Sequence, residues 1–126
     1  MIQTKAIKST VNVRAFEYYR PLVRVKRFVE TNYDEDISLL RAARVAALER
    51  TYFCTFFRKK VGIGFRDWLR RVRVEKAMAM IEQQDSSISE VAFAVGFGDL
   101  STFERAFKEF AQMTPIEFKK AVAPGN

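Results

Sequence analysis

Cys54 is the one cysteine in a chain of 126 residues, and the chain has no histidine. These two facts remove most of the reaction chemistry open to a protein of this size. A single thiol excludes an internal disulfide and a cysteine-rich zinc site. Without imidazole the commonest metal ligand and acid–base group is missing, and no metal or cofactor is expected. Carboxylate and lysine chemistry stay open. Alkyl transfer to Cys54 would need a neighbouring base to ionise the thiol, and the sequence offers no candidate. The residues around Cys54 suit another task. Arg50, Thr51, Tyr52, Thr55, Arg58, Lys59 and Lys60 combine guanidinium, ammonium and hydroxyl groups at helical spacing. Such cations grip anionic oxygens and short hydroxyls meet polar edges, so the chemistry is recognition rather than reaction. Two readings of Cys54 itself stay open: a small filler near a core, or a member of that outer face.

The pattern that carries these residues is written twice. The segment TYFCTFFRK, Thr51–Lys59, returns fifty residues later as STFERAFKE, Ser101–Glu109. Phe53 falls in register with Phe103, Phe56 with Ala106 and Phe57 with Phe107. Each copy follows a short helical stretch of small residues, Ala42–Leu48 and Val91–Phe97. Two repeats of a small-residue helix, a tight turn and a helix with a polar outer face read as two helix-turn-helix units. The spacing turns Phe53, Phe56 and Phe57, and in the second copy Phe103, Phe107 and Phe110, toward a core.

Around this repeat the punctuation marks out the remaining elements. Residues 1–16 show no period and read as an arm or linker. A first helix is expected over about Tyr18–Thr31, with Pro21 in its first turn and Leu22, Val25, Phe28 and Val29 as its apolar stripe. Asp36 is placed to cap a second helix running to about Ala47, and a third over about Arg50–Val61 ends at Gly62 and Gly64. The longest helix is expected over Phe65–Gln83. Its apolar face drifts from Phe65, Trp68, Leu69 and Val72 to Val74, Ala77, Met78 and Ile81, as a strut between two modules requires. Ser87 with Glu90 matches a capping box, Gly96–Gly98 makes a turn, and Asp99 caps the next helix. Thr114–Pro115 opens a last helix through about Ala121. The expected architecture is all-α, with about seven helices. Its parts are an arm (1–16), a first module (17–64), a linker helix (65–83), a second module (84–122) and a tail (123–126).

Composition agrees with that class. Only five Gly and three Pro leave little room for the many turns of an all-β fold. No apolar run approaches the roughly 18 residues of a membrane span, and Met1–Lys5 lacks the apolar stretch of a signal peptide, so a cytoplasmic protein is expected. The net charge is +7, which favours a polyanionic partner. It is unevenly spread: net +2 over residues 1–40, +8 over 41–76 and −3 over 77–126.

The second copy and its surroundings carry a family likeness. Ile88-Ser89-Glu90-Val91-Ala92 opens it, Val95-Gly96-Phe97 makes the turn, Phe103 and Phe107-Lys108 follow, and Thr114-Pro115-Ile116-Glu117-Phe118 closes it. Over roughly Leu22–Ala121 the chain resembles the AraC/XylS family of bacterial transcription regulators, and Trp68–Ala77 is similar to the family's middle helix. The resemblance implies two recognition helices entering successive major grooves on one face of double-stranded DNA, which repeat about every 34 Å. A strut of roughly eighteen residues spans about 27 Å, close to that repeat. It also implies a nucleoid-associated activator that touches RNA polymerase. Family members usually carry an upstream effector or dimerisation domain, and the linker-like first residues fit an excised output domain, whereas Met1 fits a chain that acts alone. Three positions depart from the family pattern: Glu49 for the usual Ser cap, Ala47 for a turn Gly, and Ala111-Gln112 for an aromatic-Gly pair.

On this resemblance the base-reading positions map onto Thr51, Cys54 and Thr55, with Tyr52 beside them. In the second module Leu100, Ser101, Thr102, Glu104 and Arg105 remain on the outer side, and Arg105 is the strongest reader because a guanidinium grips guanine at O6 and N7. Glu104 is expected to tether Arg105. Arg50, Arg58, Lys59, Lys60, Arg66, Arg70 and Lys108 are expected on phosphates. Arg71 and Arg73 have two readings, a carboxylate pairing that locks the modules or a phosphate contact. The rival function is a helical protein-interaction module with only non-specific DNA affinity; an enzyme is not expected.

Overall fold

The computed structural model describes residues 11–123. Of the expected arm and tail, residues 1–10 and 124–126 lie outside the described residues. The described chain holds eight helices and no strand: α1 (Ala15–Tyr18), α2 (Arg20–Asn32), α3 (Leu39–Ala46), α4 (Arg50–Val61), α5 (Phe65–Gln83), α6 (Ile88–Ala94), α7 (Leu100–Ala111) and α8 (Pro115–Val122). It divides into two compact units between Leu69 and Arg70.

The first unit packs α1–α4 and the start of α5. Ala42, Ala43 and Ala46 leave room for the rings of Phe53 and Phe57, all of them at most 1% exposed. Phe65 and Trp68 close this cluster, with ring centres 5.5 Å from Phe57 in each case. Burying one such ring is the largest single contribution available to a small core. Three expectations change here. Residues 15 and 16, assigned to an arm, are buried in α1, where Phe16 stacks on Trp68 at 4.8 Å; four residues are too few to show a period. That short helix brings the number to eight, and the next begins at Arg20 rather than Tyr18. Helix α3 is capped by Ser38, whose Oγ accepts from the Arg41 N–H at 3.0 Å, and not by Asp36. Ile37 explains the shift: it is buried just before the cap, so the chain stays extended until its side chain is inside.

The second unit repeats the plan. Ala92, Phe103 and Phe107 are fully buried, and the rings run on through Phe97 and Phe118 at 5.3–5.7 Å. Ser87 with Glu90 and Thr114 with Glu117 form reciprocal capping boxes. The eight apolar residues expected along α5 are all buried.

Both turns between the paired helices need a left-handed residue. In the first unit Ala47 supplies it at φ 60°, where glycine would be unstrained. Arg24 of α2 holds the approach to this turn, donating from Nε to Val45 O (3.2 Å) and from Nη2 to Ala46 O (2.9 Å). These carbonyls lie at the end of α3, where a cation is favourable. The C-cap of α7 is likewise left-handed and non-glycine, Gln112 at φ 63°.

Candidate nucleic-acid interface

Helix α4 starts at Glu49, whose Oε1 accepts from the Tyr52 N–H at 2.9 Å. Backbone hydrogen bonds from Thr51 and Tyr52 hold this carboxyl below its ordinary value. Glutamate thus caps the helix at the position where the family pattern has Ser. With Phe53, Phe57 and Val61 inward, Arg50, Thr51, Tyr52, Thr55, Arg58 and Lys59 are exposed. Cys54 is half-buried and lines a shallow groove with Thr55, Arg58 and Lys59. It is therefore both near the core and on the rim of the outer face. Thr55 donates its hydroxyl to Thr51 O at 3.3 Å, a local bond that keeps the side chain against its own helix.

Phe56 corrects an expectation. It stands in register with Ala106, which is fully buried, but is itself only half-buried. A methyl fits between packed helices at that register and a phenyl does not. The ring instead meets Tyr19 edge-on at 5.5 Å and stacks on Tyr52 at 5.9 Å. Lys60 follows it, with Nζ 5.0 Å from the centre of the Tyr19 ring, so this expected phosphate contact rests on an aromatic face. Arg58 reaches back over Gly64: a Cβ there would lie 2.9 Å from its Nη2. Arg66 borders a second groove, with Cys54, Arg58, Gly64 and Asp67. Arg70 is engaged in the second unit, 3.6 Å from Glu109 Oε1 and over the Phe110 ring. Both side chains are more than a third exposed, so the pair adds little stability. Arg71 has a side chain only 13% exposed and lies 3.8 Å from Glu75, a carboxylate pairing within α5 itself and not one between the modules.

Helix α7 starts at Asp99. Its Oδ1 accepts from the Thr102 N–H at 2.8 Å and its Oδ2 from the Thr102 hydroxyl at 3.0 Å. These bonds from Thr102 hold the Asp99 carboxyl below its ordinary value. Ser101, Glu104, Arg105 and Lys108 are exposed, while Leu100 and Thr102 are half-buried. The Thr102 hydroxyl is committed twice, since Arg105 Nη2 also reaches it at 3.5 Å. The partner of Arg105 is therefore Thr102, and through it Asp99, rather than Glu104. Adjacent residues on a helix do not face each other, whereas residues three apart do. Ser101, Glu104, Arg105 and Lys108 share a groove of about 480 Å³ with Thr114, Pro115 and Ile116. Sequence reasoning did not propose Ile116, which is 53% exposed; an apolar residue at the start of a helix gave no signal.

Among the described residues no helix is long and apolar enough to cross a membrane, and no cluster of ligands could hold a metal. The site is thus two helix faces, each capped by a carboxylate and bordered by cations.

A family model described as a helix-turn-helix domain matches residues 42–121. The msm operon regulatory protein of Streptococcus mutans serotype c is 27% identical over 99 residues, which are 79% of this chain and 36% of that protein. The chain spans well under two thirds of the length of such curated relatives. Among solved structures, the DNA-binding domain of the global transcriptional factor AdpA, in complex with a target DNA, superposes with a TM-score of 0.77. It is 26% identical, and the match covers 84% of this chain and 98% of that one. A transcriptional regulator of Chromobacterium violaceum with an AraC-type DNA-binding domain shares the fold at TM-score 0.77 and 21% identity, over 84% and 95% of the two chains.

Proposed function

The chain belongs to the AraC/XylS family of helix-turn-helix regulators, and on that premise we propose that it binds double-stranded DNA sequence-specifically to regulate transcription. The observation that carries the reading is the repeated exposed face: Thr51, Tyr52 and Thr55 on α4, and Ser101, Glu104 and Arg105 on α7, each on a helix locked by buried phenylalanines. Nothing in packing requires short polar and cationic side chains at both places. Base edges in a major groove do. Arg50, Arg58, Lys59, Arg66 and Lys108 contact phosphates and set the register, and the helix faces read sequence. The likeness to the DNA complex of AdpA supports this docking.

Further parts of the proposal come from the family. The two helices enter successive major grooves, the protein acts in the cytoplasm on the nucleoid, and it activates by touching RNA polymerase. A sensing or dimerisation region joined to this domain governs it.

The experiment is selection from a random duplex pool at near-physiological salt. Two enriched motifs about one helical turn apart support regulation through both modules. A single short motif removes α7 from base reading. No enrichment overturns the proposal in favour of a protein-interaction module.

A further inference from the structure

We propose that the α1–α2 corner, Asn12–Tyr19, is a brace that fixes the recognition helix α4 and sets the direction of Tyr52 on DNA. The proposal rests on the DNA-binding reading above and adds a positioning element outside the helix-turn-helix. The contacts run the length of α4. At its C-terminal end the Asn12 N–H donates to Val61 O at 2.8 Å, and the Asn12 side-chain amide donates to Lys60 O at 3.3 Å. These are carbonyls that a helix leaves without internal partners. Midway, Phe16 meets Phe57 edge-on at 5.8 Å. On the flank, Tyr19 meets Phe56 edge-on at 5.5 Å, and Phe56 stacks on Tyr52 at 5.9 Å with 26° between the planes. Lys60 lies over both Tyr19 and Phe56, at 5.0 and 6.0 Å from the ring centres.

This row of rings is not core. Tyr52 is 57% exposed, and Tyr19 and Phe56 are half-exposed. Its burial therefore gains less than that of Phe53 or Phe57. Its geometry has a different effect. Edge-on and stacked contacts fix ring planes, so the orientation of Tyr52, in the first turn of α4 beside Thr51 and Thr55, is passed on from Tyr19 through Phe56. Tyr19 is not itself a base-reading candidate and is a positioning residue for one of them.

The test compares wild type, Tyr19→Phe, Tyr19→Ala, Tyr52→Ala and the double variant, with base preference read by selection from a random duplex pool and affinity measured on the selected site. Tyr19→Phe, which keeps the ring, is expected to retain the wild-type profile. Tyr19→Ala is expected to lose about three- to tenfold discrimination at the same base positions as Tyr52→Ala, and adding Tyr52→Ala to it is expected to change little more. A uniform loss across all base positions, or an unchanged profile in Tyr19→Ala or in Tyr52→Ala, overturns the brace. If Tyr19→Ala does not melt cooperatively, Tyr19→Leu keeps bulk without a ring edge and is scored by the same criteria. Failure of the wild type to select any sequence overturns the DNA-binding reading itself and, with it, the brace.

Discussion

Replacing Ala47 by glycine is expected to stabilise the protein, and replacing Gln112 by glycine is expected to do much less. Both residues occupy left-handed backbone, at φ 60° and 63°, where a Cβ costs about 1–2 kcal/mol. Glycine removes that strain but gives the unfolded chain extra freedom worth about 0.4–1 kcal/mol. At Ala47 the difference leaves a gain of about 0.5–1 kcal/mol, since the methyl is exposed and makes no bond to lose. At Gln112 the side-chain Nε2 donates to Glu109 O at 2.8 Å. Losing that bond removes about 0.5–1 kcal/mol, so the two effects nearly cancel. Thermal melting measures both. A gain of 1 kcal/mol corresponds to about 4 °C if the chain melts as one unit, and to about 8 °C if the units melt separately. The sites are in different units, so their effects should add. A lower midpoint for Ala47→Gly, or a larger gain at Gln112 than at Ala47, refutes the reasoning, because it would mean that the left-handed conformation is not where the strain lies.

Four other outcomes are expected. Lys59→Ala should reduce the slope of log K against log salt by about 0.9, as one phosphate contact is lost. Arg105→Ala should relax base preference by about 1–3 kcal/mol with a small change in that slope; equal slope losses in binding titrations would sink this division. Phe57→Ala and Phe107→Ala should each destabilise by about 3–5 kcal/mol in urea unfolding, since both rings are fully buried. The caps should also make stability acid-sensitive. Backbone hydrogen bonds at helix N-termini lower the Glu49, Glu90, Asp99 and Glu117 carboxyls below their unfolded values. Their contribution is therefore complete above those ordinary values, about 4–4.5, and disappears as pH falls through the lower folded ones. Glu90→Gln keeps a capping side chain that does not titrate, and its midpoint should fall less steeply with acid than that of wild type.

Where the sequence was legible, a local rule and the tertiary packing agreed. Gly62 marked the end of α4, the Asp99 cap marked the start of α7, and an apolar face without Gly or Pro marked α5. Phe103 and Phe107 were placed inward by the same period that buries them. The failures fell where packing overrode a local rule. Asp36 is a good cap by type, but the burial of Ile37 moves the helix start to Ser38. Phe56 matches the inward period and is displaced by its size onto Tyr19. Helix α1 has too few residues for periodicity, and its evident reason to fold is the stack of Phe16 on Trp68, more than fifty positions away. For the candidate interface, sequence supplied the residue types and not their engagements. Thr102 carries a hydroxyl that its own cap consumes, and Lys60 carries a charge that lies on aromatic rings.

The caps also bear on how DNA is held. A helix N-terminus is a natural phosphate site, because its free N–H groups and dipole favour an anion. Here the N-termini of α4 and α7 are already occupied by the carboxylates of Glu49 and Asp99. A phosphate approaching either end would meet a carboxylate that is ionised at neutral pH. The backbone grip must then come from side chains, and these are unequally shared. Around α4 stand Arg50, Arg58, Lys59 and Arg66, with Glu49 as the capping anion. Around α7, Arg105 and Lys108 are accompanied by Asp99, Glu104 and Glu109, the last of them paired with Arg70. Non-specific attraction should therefore reside in the first module. The second gains from docking only where Arg105 finds a base to hold, which makes its engagement depend on sequence more than on charge.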